Sequence, residues 1–551
     1  MTRIYKAILF LTIILVSASS CKKWLDINSD PDTPQNPSAS SVFPAQLAAI
    51  PRGIQFDSRY LGKYIQNWLT SASSRTSDLT WDRHGWIANS DVSGDIWRQT
   101  YFGLGKNLNY IIDVGSRNGQ WDYVGAAWAL KAFMFQECTD YHGDIIFTEA
   151  FAENLAQFHF DDQQTVYAGV RAYCDSALKN LNRTDLNPSV NKLAVGDYVY
   201  AGDVEKWKRF VYGILARQLN NQVNKATYDP QKVIEYCDLS LQSGSDDFLV
   251  PFDATKNDDA NFYGPFRDNL TFFRQSNFIV SLLDGTAFTG ISNLVTRDPR
   301  MRHMLSASQD TTNGNGGYRG VNPGEGDPLA TTTTGPDSRK RVAALFGDSL
   351  YANPRTVGVF IPNLGKYIFK DKAVLPIMTY SEIQFIKAEA AFRANNKPLA
   401  LEAYRKGIEA HFAFINRTSF PRGNVTLFNG AAISNTTRDA YMNGPAVKND
   451  PNLLTKTDIM LQKYIALWGW GFVETWCDLR KYHYTDQDEM TLQQVYKGFT
   501  LPTFEAGNLG KPVQRVRPRY NSEYVWNRDE LDRIGGLNTD YHTYEMWFSK
   551  P

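Results

Sequence analysis

The sequence predicts a mostly α-helical fold in which helical hairpins stack into a scaffold that carries a loop-rich face. Three observations lead there. The stretch Met378–Ile415 reads as two helices joined by a tight turn, with one apolar side that a lone hairpin cannot bury. Apolar residues recur at helical spacing in at least five further segments. Between Asp246 and Val374 that period fades, and Gly, Thr and Asn accumulate.

The chain begins with Arg3 and Lys6 before an apolar run, Ala7–Val16, and small residues follow. This is a secretory leader pattern over residues 1–20. Cys21 comes directly after Ala18, Ser19 and Ser20, as in a bacterial lipoprotein box. Its thiol would receive diacylglycerol and its new amino group an acyl chain such as palmitate. Each buried methylene adds about 0.8 kcal/mol, so two or more chains anchor firmly. An ordinary leader with a chance Cys is the alternative. Residues 21–41 are polar, with Pro31, Pro34 and Pro37, and read as a tether. Asp26, Asn28 and Asp30 imitate the start of a calcium loop. Pro31 replaces the sixth-position Gly and Pro37 the twelfth-position Glu, so turn chemistry is the better reading.

Residues 42–551 form one domain in this reading. Val42–Leu69 is helical in two pieces, broken near Pro51 and Gly53. Thr70–Asp95 is polar and irregular, yet holds Trp81, His84 and Trp86. Trp in a polar loop suits a ligand platform; packing of the loop against the body is the alternative. Trp97, Tyr101, Leu104, Leu108 and Ile111 define the next helix, and Trp121–Thr139 another. Thr165–Leu181 follows, then a helix capped by Asp203, then one opened by Pro230 and running to Leu241. The spacing fits degenerate tetratricopeptide-like units of about 34 residues. Thr379 caps the helix after Met378 and Glu382 completes a capping box; Pro398 starts its partner. Thr457–Leu479 is a last long helix. Lys511–Phe548 is loop-like.

Hydrophobic residues make up 43% of the 551, enough for a large core. The 58 basic and 58 acidic residues cancel and no basic run occurs, which points away from nucleic acid. Cys138, Cys174, Cys237 and Cys477 fit no zinc spacing and are expected as core thiols, with a Cys138–Cys174 disulfide as the alternative. No metal or cofactor motif appears. Neither His-Glu-x-x-His nor Gly-x-Ser-x-Gly is present, although paired carboxylates for glycoside cleavage have no such signature. Asp140–Phe151 reads as a turn-rich loop.

Several stretches together resemble the SusD/RagB family of outer-membrane nutrient-binding lipoproteins. They are WLDINSDPDTP behind the lipobox, TDYHGDIIFTEAF at Thr139–Phe151 and GDVEKWKRFVYGILARQL at Gly202–Leu219. MTYSEIQFIKAEAAF and QKYIALWGWGFVETWCDLRK at Gln462–Lys481 follow, then PVQRVRPRYNSEYVWN at Pro512–Asn527. The sequence departs from the family pattern at Ile146 and Asn521, each in place of Pro, at Tyr464 in place of Trp, and at His142. The resemblance implies a surface-exposed, lipid-anchored, non-enzymatic protein over a TonB-dependent, SusC-like transporter. It would hand over oligosaccharides, or peptides in some branches; a secreted carbohydrate-active enzyme is the further alternative. Site aromatics in the family often precede the first repeat helix. That region holds Trp81 and Trp86 here, with Asp82, His84 and Asn89 as polar neighbours. Tyr318 and Arg319 would close the other wall.

Overall fold

The computed structural model describes residues 4–5, 36–292, 296–312, 315–347, 365–420, 423–428 and 430–551. All of the leader but residues 4–5, together with Cys21, the calcium-like Asp26–Asp30 stretch and most of the tether, lies outside the described residues. The first long helix, α1 (Ala39–Tyr64), starts within the segment expected as tether, and Ser38 caps it by accepting from the Ser41 amide. It is unbroken, although Pro44 and Pro51 each remove a donor from the ladder. Burial of Phe43, Leu47, Ile50 and Leu61 along one side offsets that loss. The helix stops short of the expected Leu69. Trp68–Thr70 instead forms β1, antiparallel to Phe273–Gln275.

The next segment is less irregular than its composition suggests: Thr76–Asp82 is a short helix, α2. Then come one α-turn (Asp95–Arg98), a π-helical stretch (Gln99–Gly105) and α3 (Lys106–Arg117). The scaffold continues with α4 (Trp121–His142), α5 (Gln163–Leu181), α6 (Val204–Asn221), α7 (Pro230–Leu239), α8 (Tyr380–Arg393) and α9 (Lys397–Asn416). Successive helices pack on one another from α3 to α9, and α10 (Lys456–Leu467) packs on α8. This stack is the all-α hairpin scaffold the periodicity predicts. The caps fall where side chains can supply them: Asp162, Asp203 and Asp229 each accept amides of the following turn.

Two details differ from expectation. Thr379 accepts the Glu382 amide at 3.3 Å, but the Glu382 carboxylate does not reach back to complete a capping box. It instead takes a bidentate pair from Arg217 of α6, at 2.6 and 2.7 Å. The final long helix is two, α10 and α11 (Phe472–Lys481), because Gly469 sits at φ +88° and its amide donates to Asn67 Oδ1 at 2.6 Å.

Within the long insertion, Phe248–Phe252 pairs antiparallel with Ala373–Met378, so the excursion leaves and rejoins the stack at one place. All four described cysteines are buried and free, so the Cys138–Cys174 alternative does not form.

Charges inside the stack tie the helices together. Arg217 also meets Glu474 of α11 at 2.7 Å. Lys481 bridges Glu389 and Asp478, both at 2.8 Å, and Lys463 meets Asp478 at 2.8 Å. All of these side chains but the partly exposed Glu474 are buried, where an ionic group is tolerated only when paired and hydrogen-bonded.

Candidate functional site

A cleft of about 1020 Å³ opens beside the π-helical stretch. One wall is a stripe on the segment leading into α3: Arg98, Phe102, Lys106 and Asn109, spaced 4, 4 and 3. The inward face of the same segment is core, with Leu104, Leu108 and Ile111 buried, and the buried Trp97 lines the cleft's base beside Arg98. The second wall comes from the loop after α4, through Ile146, Phe151, Glu153 and Phe158. The third comes from the C-terminal segment, through Arg519, Ser522 and Glu523.

Local chemistry fixes each wall. The Phe102 ring is 72% exposed, with the Arg98 guanidinium 5.7 Å from its centre. Tyr101 also lines the cleft and donates to the Ile146 carbonyl at 2.6 Å, joining the first wall to the second. Gly105 lets them close: a Cβ there would lie 2.2 Å from the Phe151 ring and 2.3 Å from the Thr100 carbonyl. In the second wall Gly143, at φ +85°, turns the chain out of α4. Asp161 accepts the amides of Phe147 and Thr148 at 3.0 and 2.7 Å. The Thr139–Phe151 motif is thus turn chemistry.

Asn527 fastens the third wall. Its Oδ1 accepts the Phe158 amide at 3.1 Å and its Nδ2 donates to the Phe158 carbonyl at 2.8 Å and to Glu523 at 3.1 Å. Arg519 pairs with Asp91. Burial raises the Glu523 carboxyl above the usual range. The result is an open, mostly apolar recess with aromatic faces and a few directed polar groups, the composition of a site for a ligand with both apolar faces and hydroxyls.

The sequence-predicted residues lie elsewhere. Trp81 is 2% exposed, wedged against Tyr60 and Tyr64 at 4.8 and 5.7 Å, so it offers no face to a ligand. Asp82 is fully buried, accepting from Thr70 and facing Lys63 at 3.5 Å. His84 is also fully buried, and burial lowers its imidazole to about 3. The expectation for these three is corrected: a short helix folds Trp81 and Asp82 inward, and the turn after it, with His84 at φ +63°, buries the imidazole. Trp86 is half-buried beneath the Arg517 guanidinium, 4.0 Å from its ring centre. Asn89 is exposed. Tyr318 is half-buried against the core, and Arg319 faces Asp310 at 3.7 Å. None of the seven lines the cleft. The loops that carry them do meet, but through Arg83, which donates to the Gly324 carbonyl at 3.3 Å.

Sequence reasoning missed the cleft residues. Phe102 was the available signal, a large ring on the polar side of an otherwise amphipathic helix.

A family model described as "Starch-binding associating with outer membrane" matches residues 38–498. The chain belongs to this SusD-like family. Its fold agrees with solved SusD-like structures. A SusD/RagB family protein from Bacteroides thetaiotaomicron is 21% identical, with 93% of this chain and 99% of that one covered and a TM-score of 0.68. A chitin-binding protein is 19% identical, with 93% and 100% covered and a TM-score of 0.67. A chitin-binding SusD homolog from Flavobacterium johnsoniae is 18% identical, with 93% and 98% covered and a TM-score of 0.61. At these identities the likeness shows the SusD-like fold. No curated protein matches the sequence. Among the described residues no SusD-like helix is long and apolar enough to cross a membrane, and no group of side chains is arranged to hold a metal ion.

Proposed function

We propose that this SusD-like chain captures oligosaccharides at the cell surface and passes them unaltered to a partner TonB-dependent transporter. Acyl chains on Cys21 hold it to the outer membrane. The observation that carries the reading is the open cleft with an exposed Phe102 ring flanked by Arg98, Lys106 and Asn109. Sugars bind by laying apolar C–H faces on aromatic rings while polar side chains satisfy their hydroxyls. The family's starch-binding, outer-membrane description supports both ligand class and location.

Phe102→Ala should weaken oligosaccharide binding about tenfold, roughly 1.4 kcal/mol of lost stacking. Titration calorimetry against maltooligosaccharides and chitooligosaccharides reads it. Trp86→Ala should leave affinity unchanged; the opposite pattern would move the site to the loop before the π-helical stretch. Release of shorter sugars from a labelled oligosaccharide would make the protein an enzyme and end the passive reading.

Cys21→Ala should release the protein from the membrane pellet into the soluble fraction after cell lysis. Equal membrane retention would remove the lipid anchor from the account.

A further inference from the structure

Behind the Lys106–Asn109 wall lies a charge that no carboxylate neutralises. Lys131 of α4 is 7% exposed and its ammonium donates to Asn109 Oδ1 at 2.7 Å. Its other neighbours are rings: Tyr173, Trp128 and Phe151, at 4.7, 5.0 and 5.7 Å from the ammonium. Among the described residues it makes no ion pair, and burial alone lowers its amine to about 8, which leaves it mostly charged at neutral pH.

The contact with Lys131 has a consequence for Asn109. Because Oδ1 accepts from the ammonium, the amide is fixed with Nδ2 as the end left for other partners, and that end only donates. Lys106, one turn before it on the same stripe, is exposed and unpaired among the described residues. The cleft's other cations are partly engaged, Arg98 with Asp95 at 3.9 Å and Arg519 with Asp91. Two carboxyls also line the cleft. Glu153 is exposed on the second wall, and Glu523 is bonded to Asn527. The Lys106–Asn109 end therefore offers donors and positive charge together, next to an aromatic platform.

We propose that the cleft selects acidic oligosaccharides, with a uronate carboxylate seated between the Lys106 ammonium and Asn109 Nδ2 and the buried Lys131 charge behind them. A neutral sugar would leave Lys131 without a counter-charge, whereas a carboxylate held by Lys106 and Asn109 supplies one beside it. This rests on the cleft being the glycan site.

The experiment titrates the purified full-length protein in detergent with an oligogalacturonate and with a neutral maltooligosaccharide and chitooligosaccharide of equal length. The oligogalacturonate should bind at least tenfold more tightly. Lys106→Met should cut that preference about tenfold at unchanged thermal stability, Lys106→Arg should restore most of it, and Lys131→Met should also reduce it. Raising the salt concentration should weaken the acidic ligand and leave a neutral one unaffected. A neutral ligand that binds as well or better, and depends on Phe102, would overturn the acidic preference and leave the glycan cleft standing. Binding of none of these ligands, or acidic binding indifferent to Phe102, would overturn both.

Discussion

Arg217→Met should lower folding stability by about 3–5 kcal/mol, because it strands buried carboxylates with no counter-charge. The guanidinium of α6 holds Glu382 of α8 in a bidentate pair and reaches Glu474 of α11 at 2.7 Å and Glu137 of α4 at 3.9 Å. The carboxylates in turn hold the arginine's proton more firmly than in water. Burial, with Glu474 close by, pushes the Glu137 carboxyl well up, so Glu137 shares the site as an acid. Removing Arg217 leaves buried Glu382 one way to lose its charge, which is to take up a proton. Burial already raises its carboxyl and Arg217 is what opposes that, so without Arg217 its folded-state affinity for protons exceeds that in the unfolded chain by more, and the variant is relatively favoured at low pH and penalised as pH rises. The deficit measured by denaturant unfolding should be largest near pH 7 and shrink by pH 5. Adding Glu382→Gln should recover part of it. A deficit below about 1 kcal/mol at pH 7 would mean that water solvates these carboxylates and that the pair is no tie between helices.

Glu389→Gln should cost about 3 kcal/mol at neutral pH and almost nothing once the pH falls below about 2. Burial opposes the Glu389 charge, but Lys481, Lys463 and Arg393 together outweigh it and depress the carboxyl from 4.5 to about 2. A depressed folded-state pKa gives stability that is complete above the unfolded value and is lost as pH falls through the folded one. The window is therefore from about 4.5 down to about 2. Lys481 at 2.8 Å, the Asn220 amide at 2.8 Å and the Tyr482 hydroxyl at 2.5 Å all donate to this one carboxylate. His84 and His542, each lowered to about 3 by burial, also weaken the fold in acid, but equally in both proteins. The difference between the two unfolding curves isolates Glu389. Parallel curves across the acid range would show that the carboxylate is not held ionised.

The stack was legible because each helix carries its own periodic apolar face and its own cap. Asp203 and Thr379 cap the amides the sequence says they should, and Pro230 and Pro398 sit in the first turn of the helices they open. What failed were choices decided by distant partners. Glu382 has a local use at its helix start and a better one on Arg217, 165 residues away in sequence. Gly469 splits a helix because Asn67, from the other end of the chain, takes its amide. The sequence around Trp81 is polar, yet Tyr60 and Tyr64 of α1 provide a core that no local pattern reveals. The candidate site was illegible for the same reason. Its three walls come from residues 98–109, 146–158 and 519–523, and only the first has a period. The family resemblance located the right architecture, but three of the residues it pointed to, Trp81, Asp82 and His84, are buried, because a shared scaffold does not fix which insertions face solvent.

Asn527 clasps Phe158 from both sides, so the final stretch of polypeptide serves as a door jamb for the recess. The recess is therefore closed only once a residue 369 positions beyond Phe158 has docked, so its shape depends on long-range folding and not on the helical body alone.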